Sequence, residues 1–174
     1  IMKELFARGR LDYRSPILIV CPVSLGSKWI KEMKERFGLY FHLHDGDSLR
    51  HMLQTILKEG IFPQGYLLSV VGLQLLRRED YLNMLRNIDS RRSEPLFELV
   101  VIDEAHHMRN SETDSNELGT MLSSMSEMML MLSATPLNLR NEDLFNQMHI
   151  LNPAAFPDLT TFETLQSPVI KLNR

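Results

Sequence analysis

The sequence predicts an α/β fold of three layers, with a mostly parallel sheet held between two layers of helices. Two observations carry that expectation. Short apolar runs recur at residues 17–21, 67–71, 99–102 and 129–132, with a weaker one at 40–43, and segments of helical period separate them. Strands that alternate with helices pair in parallel, and a strand apolar at every position is buried on both faces. A chain of 174 residues also has the size of one domain and can bury roughly 70% of its unfolded surface, so no second domain is needed to make a core.

The elements follow in order. Met2, Leu5 and Phe6 already show helical spacing at the first residues, with Gly9 as the stop. The chain enters this helix without a capping residue and begins with Ile, so it reads as a piece of a longer protein. Beyond the first strand, Leu25, Trp29, Met33 and Phe37 recur every fourth residue behind Ser24 as N-cap, and Glu32 with Arg36 adds an i,i+4 ion pair. A second helix carries Leu49, Met52, Leu53, Ile56 and Leu57 behind Asp47 and stops at Gly60. Residues 89–95, rich in charge and Ser, read as a surface loop. Leu118, Met121, Leu122 and Met125 give a further helix before the strand at 129–132, and a last one spans 141–151, ended by Asn152-Pro153.

Composition narrows the function classes. The 44% apolar and 24% charged content is that of a globular protein in water, and no apolar run is long enough to cross a bilayer or to act as a signal peptide. One cysteine, Cys21, excludes an internal disulfide; at the end of an apolar run it reads as a buried thiol in a reducing, cytosolic setting. With 22 acids against 19 bases, the net charge of −3 gives no general attraction to nucleic acid, so any such binding must come from local patches. The methionines between 121 and 131 have core spacing and carry no functional weight.

The chemistry is concentrated after the run Leu99-Val100-Val101-Ile102, which feeds directly into Asp103-Glu104-Ala105-His106. The carboxyl end of a parallel strand is where such sheets bind ligands. An acid at the strand tip can hold Mg²⁺ directly or through water, and the next acid can point at the water that attacks a terminal phosphate. Asp103 is thus the candidate metal and cofactor ligand and Glu104 the candidate base. An acid pair alone more often starts a polar turn. The full tetrapeptide, with a chance occurrence on the order of one in a thousand for a chain of this length, favours the functional reading. A second apolar strand, Met129 to Leu132, ends in Ser133-Ala134-Thr135-Pro136. Hydroxyls there can bond a neighbouring carboxylate or histidine, although by itself Ser-Ala-Thr-Pro reads more readily as a turn closed by Pro136 than as a switch.

Together these pieces resemble the first motor lobe of the superfamily-two helicases and translocases, and within it the Swi/Snf-type ATPases, including their bacterial relatives. Cys21-Pro22-Val23-Ser24-Leu25 with Trp29 and Glu32 resembles that family's first DNA-contacting motif. Asp103-Glu104-Ala105-His106 resembles its Walker B (DEAH) box, and Ser133-Ala134-Thr135-Pro136 its coupling motif. The resemblance covers nearly the whole chain and implies a RecA-like lobe of the P-loop NTPase type. It implies ATP and Mg²⁺ as cofactors, duplex DNA held without sequence preference, and a second RecA-like lobe in the same protein. Ser24 with Lys28 would approach the DNA backbone, Ser69 would be a further strand-end contact, and His106 would bridge the acids to Ser133 and Thr135. Ser24 reads equally well as a plain cap, Lys28 as a solvated charge, and Trp29 as core rather than a stacking platform. His107 inherits no role, and the histidine spacing excludes a zinc site.

Two departures from the family pattern stand out. No Gly-x-x-x-x-Gly-Lys-Ser/Thr phosphate loop occurs, so residues 1–174 are expected to be a partial N-terminal lobe that starts after that loop and does not hydrolyse ATP in isolation. After Pro136 the chain reads Leu137-Asn138-Leu139 where eukaryotic remodellers carry a Gln-Asn pair. This weakens a chromatin assignment; a bacterial protein, cytoplasmic and DNA-associated, fits at least as well as a nuclear eukaryotic one. The rival readings are an RNA helicase or restriction-type motor, a flavodoxin-type signalling domain, which lacks its required acids and lysine here, and a degenerate lobe kept for protein binding.

Overall fold

The computed structural model describes residues 1–108, 114–133 and 141–172, with side chains to Gln166. Five strands form one sheet: β1 (Ile17–Cys21), β2 (His42–His44), β3 (Leu68–Gly72), β4 (Phe97–Asp103) and β5 (Ser126–Leu132), in the spatial order β2-β3-β1-β4-β5. Every pairing is parallel, as continuous apolar runs require, and all five carboxyl ends therefore share one edge.

The side chains of β1 and β4 alternate between two cores. Ile17, Ile19, Cys21, Leu99 and Val101 face one side, where α1 (Met2–Ala7) and α2 (Gly26–Phe37) supply Met2, Leu5, Phe6, Trp29 and Met33. Leu18, Val20, Val100 and Ile102 face the other, against α3 (Gly46–Glu59), α4 (Leu73–Leu76), α5 (Glu79–Asp89) and α6 (Asp114–Ser124). This is the expected three-layer arrangement. The methionines are core: Met121 and Met125 are buried, Met129 and Met131 pack on one cluster and Met128 on the other. Two further helices, α7 (Asn141–Leu151) and α8 (Leu159–Leu172), follow β5.

Several local expectations need correction. Ser24 is not the cap of α2; it lies in a 3₁₀ turn, Val23–Leu25, and Leu25 precedes the helix with no side-chain cap bond. The cap of α3 is Asp45 rather than Asp47. Its carboxylate accepts from the Ser48 amide at 2.9 Å while the Ser48 hydroxyl accepts from the Asp45 amide at 3.0 Å, a reciprocal capping box. The edge strand is His42–His44 rather than 40–43, and α4, α5 and α8 were not assigned from the sequence at all. By contrast Gly60 ends α3 in the left-handed conformation at φ 74°, and Glu32 and Arg36 form the anticipated ion pair.

The two outer strands are unlike. β2 is three residues long and polar. β5 is seven residues long and largely apolar; it has β4 on one side, no partner on the other among the described residues, and half-buried side chains along most of its length.

Candidate nucleotide and nucleic-acid site

Asp103 is the last residue of β4 and stands in register with Leu132, the last residue of β5. The residues that follow, Glu104 and Ser133, therefore leave adjacent strand ends. Asp103 continues the Leu99, Val101 alternation and so lies on the α1/α2 face of the sheet. There its Oδ2 accepts from the indole Nε1–H of Trp29 at 2.8 Å and its Oδ1 from the Glu104 amide at 2.9 Å.

Glu104 sits at φ 54°, where among the described residues every other positive φ belongs to glycine. A glutamate held in the left-handed region stores about 1–3 kcal/mol of strain, which persists only where the surroundings over-determine it. The kink turns the chain out of the strand into a 3₁₀ turn, Ala105–Met108, anchored by buried Ala105 and Met108 and closed by the His107 amide on the Glu104 carbonyl at 3.1 Å. It also brings the His106 Nδ1 within 3.1 Å of the Glu104 Oε2. That approach lacks hydrogen-bond direction, so the buried Nδ1 has no hydrogen-bond partner. The site thus holds a half-exposed carboxylate beside an imidazole whose Nδ1 is unsatisfied, on a strained backbone.

Asp103 fits a magnesium ion that arrives with a nucleotide. Each carboxylate oxygen carries one protein hydrogen bond and keeps further lone-pair capacity. Among the described residues no group of three or more His, Cys, Asp or Glu converges to cage a metal. Mg²⁺ characteristically binds through one or two carboxylates, phosphate oxygens and water, rather than in an all-protein cage. Next to Asp103, buried Cys21 has its thiol pushed up to about 11, by burial first and by the Asp103 charge second. It is therefore a neutral core thiol, as the sequence indicated.

The loop after β1 opens on the same edge. Ser24 and Lys28 are both exposed, one in the 3₁₀ turn and one in the first turn of α2, where free backbone amides suit an anion. The Gln74 Oε1, beyond the end of β3, accepts from the Val23 amide at 3.3 Å and steadies this turn. A cleft of about 480 Å³ runs from Asp103 along α2, between Lys28, Trp29, Glu32, Arg36 and Phe37. A larger cleft, about 1060 Å³, lies at the opposite edge near Pro16, Leu67, Pro95 and Glu98, and holds none of the candidate residues. In a parallel α/β sheet the carboxyl edge outweighs volume as a guide to the site.

Ser69 does not belong to this site. β3 extends to Gly72, so Ser69 is its second residue and fully buried. Its hydroxyl donates to the Tyr66 carbonyl at 2.8 Å, and the His44 Nε2 meets the same oxygen at 2.9 Å. With the hydroxyl proton committed to a carbonyl, the imidazole must donate, and no face of Ser69 remains for a phosphate. Thr135 lies outside the described residues. What sequence reasoning missed is Trp29: helical spacing accounted for its ring, but the ring's polar N–H also needs a partner when half-buried, and that requirement was the available signal.

A model of the SNF2-related domain matches residues 2–173. The chain belongs to the SNF2-related domain family. It is similar to the RNA polymerase-associated protein RapA of Photobacterium profundum, at 30% identity over 149 residues, which span 84% of this chain and 14% of that protein. Its fold is similar to the SWI2/SNF2 ATPase core of Sulfolobus solfataricus. The complex of that core with dsDNA superposes with a TM-score of 0.64 at 21% identity, covering 93% of this chain and 30% of the other. The core domain without DNA gives 0.61 at 21% identity, covering 99% and 31%. These likenesses support the RecA-like architecture expected from the motifs. The chain spans a small part of the length of the relatives it matches.

Proposed function

We propose that these residues form part of the first RecA-like lobe of an ATP-dependent DNA translocase of Swi/Snf type. Asp103 would hold the metal, Glu104 would orient and deprotonate the attacking water, and His106 would relay the state of the acids to Ser133 and Thr135 on the neighbouring strand end. One observation carries this reading. The register of β4 on β5 sets the acid pair and the serine of the coupling motif on adjacent strand ends, at the edge where Ser24 and Lys28 are exposed. Mg²⁺ and ATP, when bound, supply the electrophilic phosphate and neutralise its developing charge.

Ser24, Lys28 and the first amides of α2 would contact the phosphate backbone, which makes binding independent of base sequence and sensitive to salt. Duplex DNA is the proposed track, in keeping with the DNA-bound archaeal core that shares this fold. The likeness to a bacterial RNA polymerase-associated protein supports a DNA-associated role in a bacterial cytoplasm. Because the sequence contains no Gly-x-x-x-x-Gly-Lys-Ser/Thr loop, a phosphate cradle and a second lobe would come from other parts of the protein, and the isolated chain should not turn over ATP.

The test is Glu104→Gln in the full-length protein. DNA-stimulated phosphate release should fall on the order of a hundredfold to ten-thousandfold, as for loss of a general base, while nucleotide binding persists. Turnover at the parent rate would remove Glu104 from the mechanism and overturn the reading.

A further inference from the structure

One hydrogen bond joins the two halves of the proposed site. The Trp29 indole donates to the Asp103 Oδ2 at 2.8 Å across 74 positions of sequence, from the first turn of α2 to the tip of β4. Apolar contact accounts for the ring, which packs with the cluster that includes Leu25, Ile30 and Met33. It does not account for an N–H aimed at the one carboxylate suited to a metal. Trp29 directly follows Lys28 and lies five positions after Ser24, so the short run that offers the DNA contacts also carries the donor to Asp103. A helical turn moves as a rigid unit, and a hydrogen bond weakens steeply with loss of distance or alignment. A shift of about an ångström in the start of α2 is therefore enough to make or break this one.

Resting on the function proposed above, we infer that Trp29 is a positioning residue. It fixes the Asp103 carboxylate and ties it to the DNA-contacting start of α2, so that DNA seated on Ser24 and Lys28 is registered at the metal ligand through the indole N–H. This route runs along the α1/α2 face and is separate from the one through His106 to Ser133.

The decisive variant is Trp29→Phe in the full-length protein, which keeps an aromatic ring and removes the donor. A hydrogen bond to a charged group is worth enough to shift binding at least about tenfold. The Mg²⁺ concentration for half-maximal hydrolysis should accordingly rise about tenfold, and the ratio of rates with and without duplex DNA should fall severalfold. A second readout needs no hydrolysis. Trp29 is the only tryptophan of these 174 residues, so its emission in this chain should shift on Asp103→Ala, and on addition of duplex DNA to the parent chain but not to Ser24→Ala/Lys28→Ala. If Trp29→Phe fails to fold, the emission measurements decide. An unchanged Mg²⁺ requirement and DNA ratio overturns the inference. So does an equal fall in both rates at unchanged Mg²⁺ requirement, which marks a purely structural tryptophan, and so does emission indifferent to Asp103 and DNA. Should Glu104→Gln abolish turnover while Trp29→Phe behaves as the parent, only this inference falls; should Glu104→Gln keep turnover, the reading of the site falls with it.

Discussion

Two histidine clusters sit along the same sheet, and they differ in exposure and in backbone conformation. At the β2 edge, His44 is buried, donates to Ser69, and packs its ring 4.6 Å from His42 and 4.8 Å from Tyr66. Ser69 in turn bonds the Tyr66 carbonyl and lies 3.7 Å from the Met52 sulfur, while the buried His44 Nδ1 has no hydrogen-bond partner, as at His106. At the end of β4, His106 is half-exposed beside Glu104, which is held at a positive φ, and each oxygen of the neighbouring Asp103 carries a single protein hydrogen bond. Both clusters contain the residue types associated with catalysis. The difference teaches that exposure and backbone strain separate the two clusters, whereas residue type and an orphaned ring nitrogen are common to both.

The comparison is broken most easily by removing one group from each cluster. In the full-length protein, Asp103→Ala should lower DNA-stimulated hydrolysis on the order of a hundredfold or more, as for a preorganised electrostatic group, whereas His44→Leu should stay within about twofold in the same phosphate-release assay. Comparable losses in both variants would erase the distinction.

Acid sensitivity sharpens it. Burial, aided by the neighbouring His42, drives His44 from its ordinary 6.5 down to about 4, against the opposing pull of the Ser48 backbone and Asp45. The folded state therefore binds its proton less readily than the unfolded state. The stability tied to neutral His44 is complete above about pH 6.5 and is lost as pH falls through that value toward 4. The span corresponds to about 3 kcal/mol. Thermal unfolding followed by circular dichroism should show midpoints falling steeply across this window, and His44→Leu should flatten the slope.

The two serines provide a smaller contrast. Ser69→Ala orphans the His44 donor at a cost of about 1 kcal/mol, lowering the thermal midpoint by about 2–4 °C in a chain of this size, with DNA retention unchanged. Ser24→Ala should do the reverse, leaving the midpoint alone and weakening duplex binding in a salt-dependent filter or anisotropy assay. The smallest effect on stability concerns Glu104→Gly. Relief of the positive φ offsets the entropy of glycine, so the midpoint should hold or rise by about 1 kcal/mol equivalent even as activity disappears.

The sequence exposed the sheet well because burial on both faces writes itself as uninterrupted apolar runs, and Leu99 to Ile102 is the clearest. Asp103 and Glu104 were legible for the same reason, standing where such a run stops. Caps were less legible: Ser24, Asp45, Asp47 and Ser48 are all plausible caps by type, and only the backbone geometry selects Asp45 with Ser48. Ser69 was misplaced because the end of β3 lies at Gly72, three residues beyond it, where a small residue accommodates the Val23 side chain: a Cβ at Gly72 would stand 2.7 Å from the Val23 Cγ2. Periodicity hides the Trp29 bond, because it describes which side of a helix is apolar and carries no information about a polar atom on an otherwise apolar ring; only the need of that N–H for a partner points to it. Helix α5 escaped notice because its buried residues, Tyr81, Leu82, Leu85 and Ile88, are interleaved with acids and an arginine that also suit a loop.

The outer side of β5 has a practical corollary. A seven-residue, Met- and Leu-rich strand that has no partner on one flank among the described residues is a template for any passing extended peptide, other molecules of the same polypeptide included. Purified alone, these residues should grow larger by concentration-dependent stacking, visible as rising light scattering, and a lysine in place of Leu130 should suppress that growth more effectively than the same change at Leu43 in the short polar strand on the far flank.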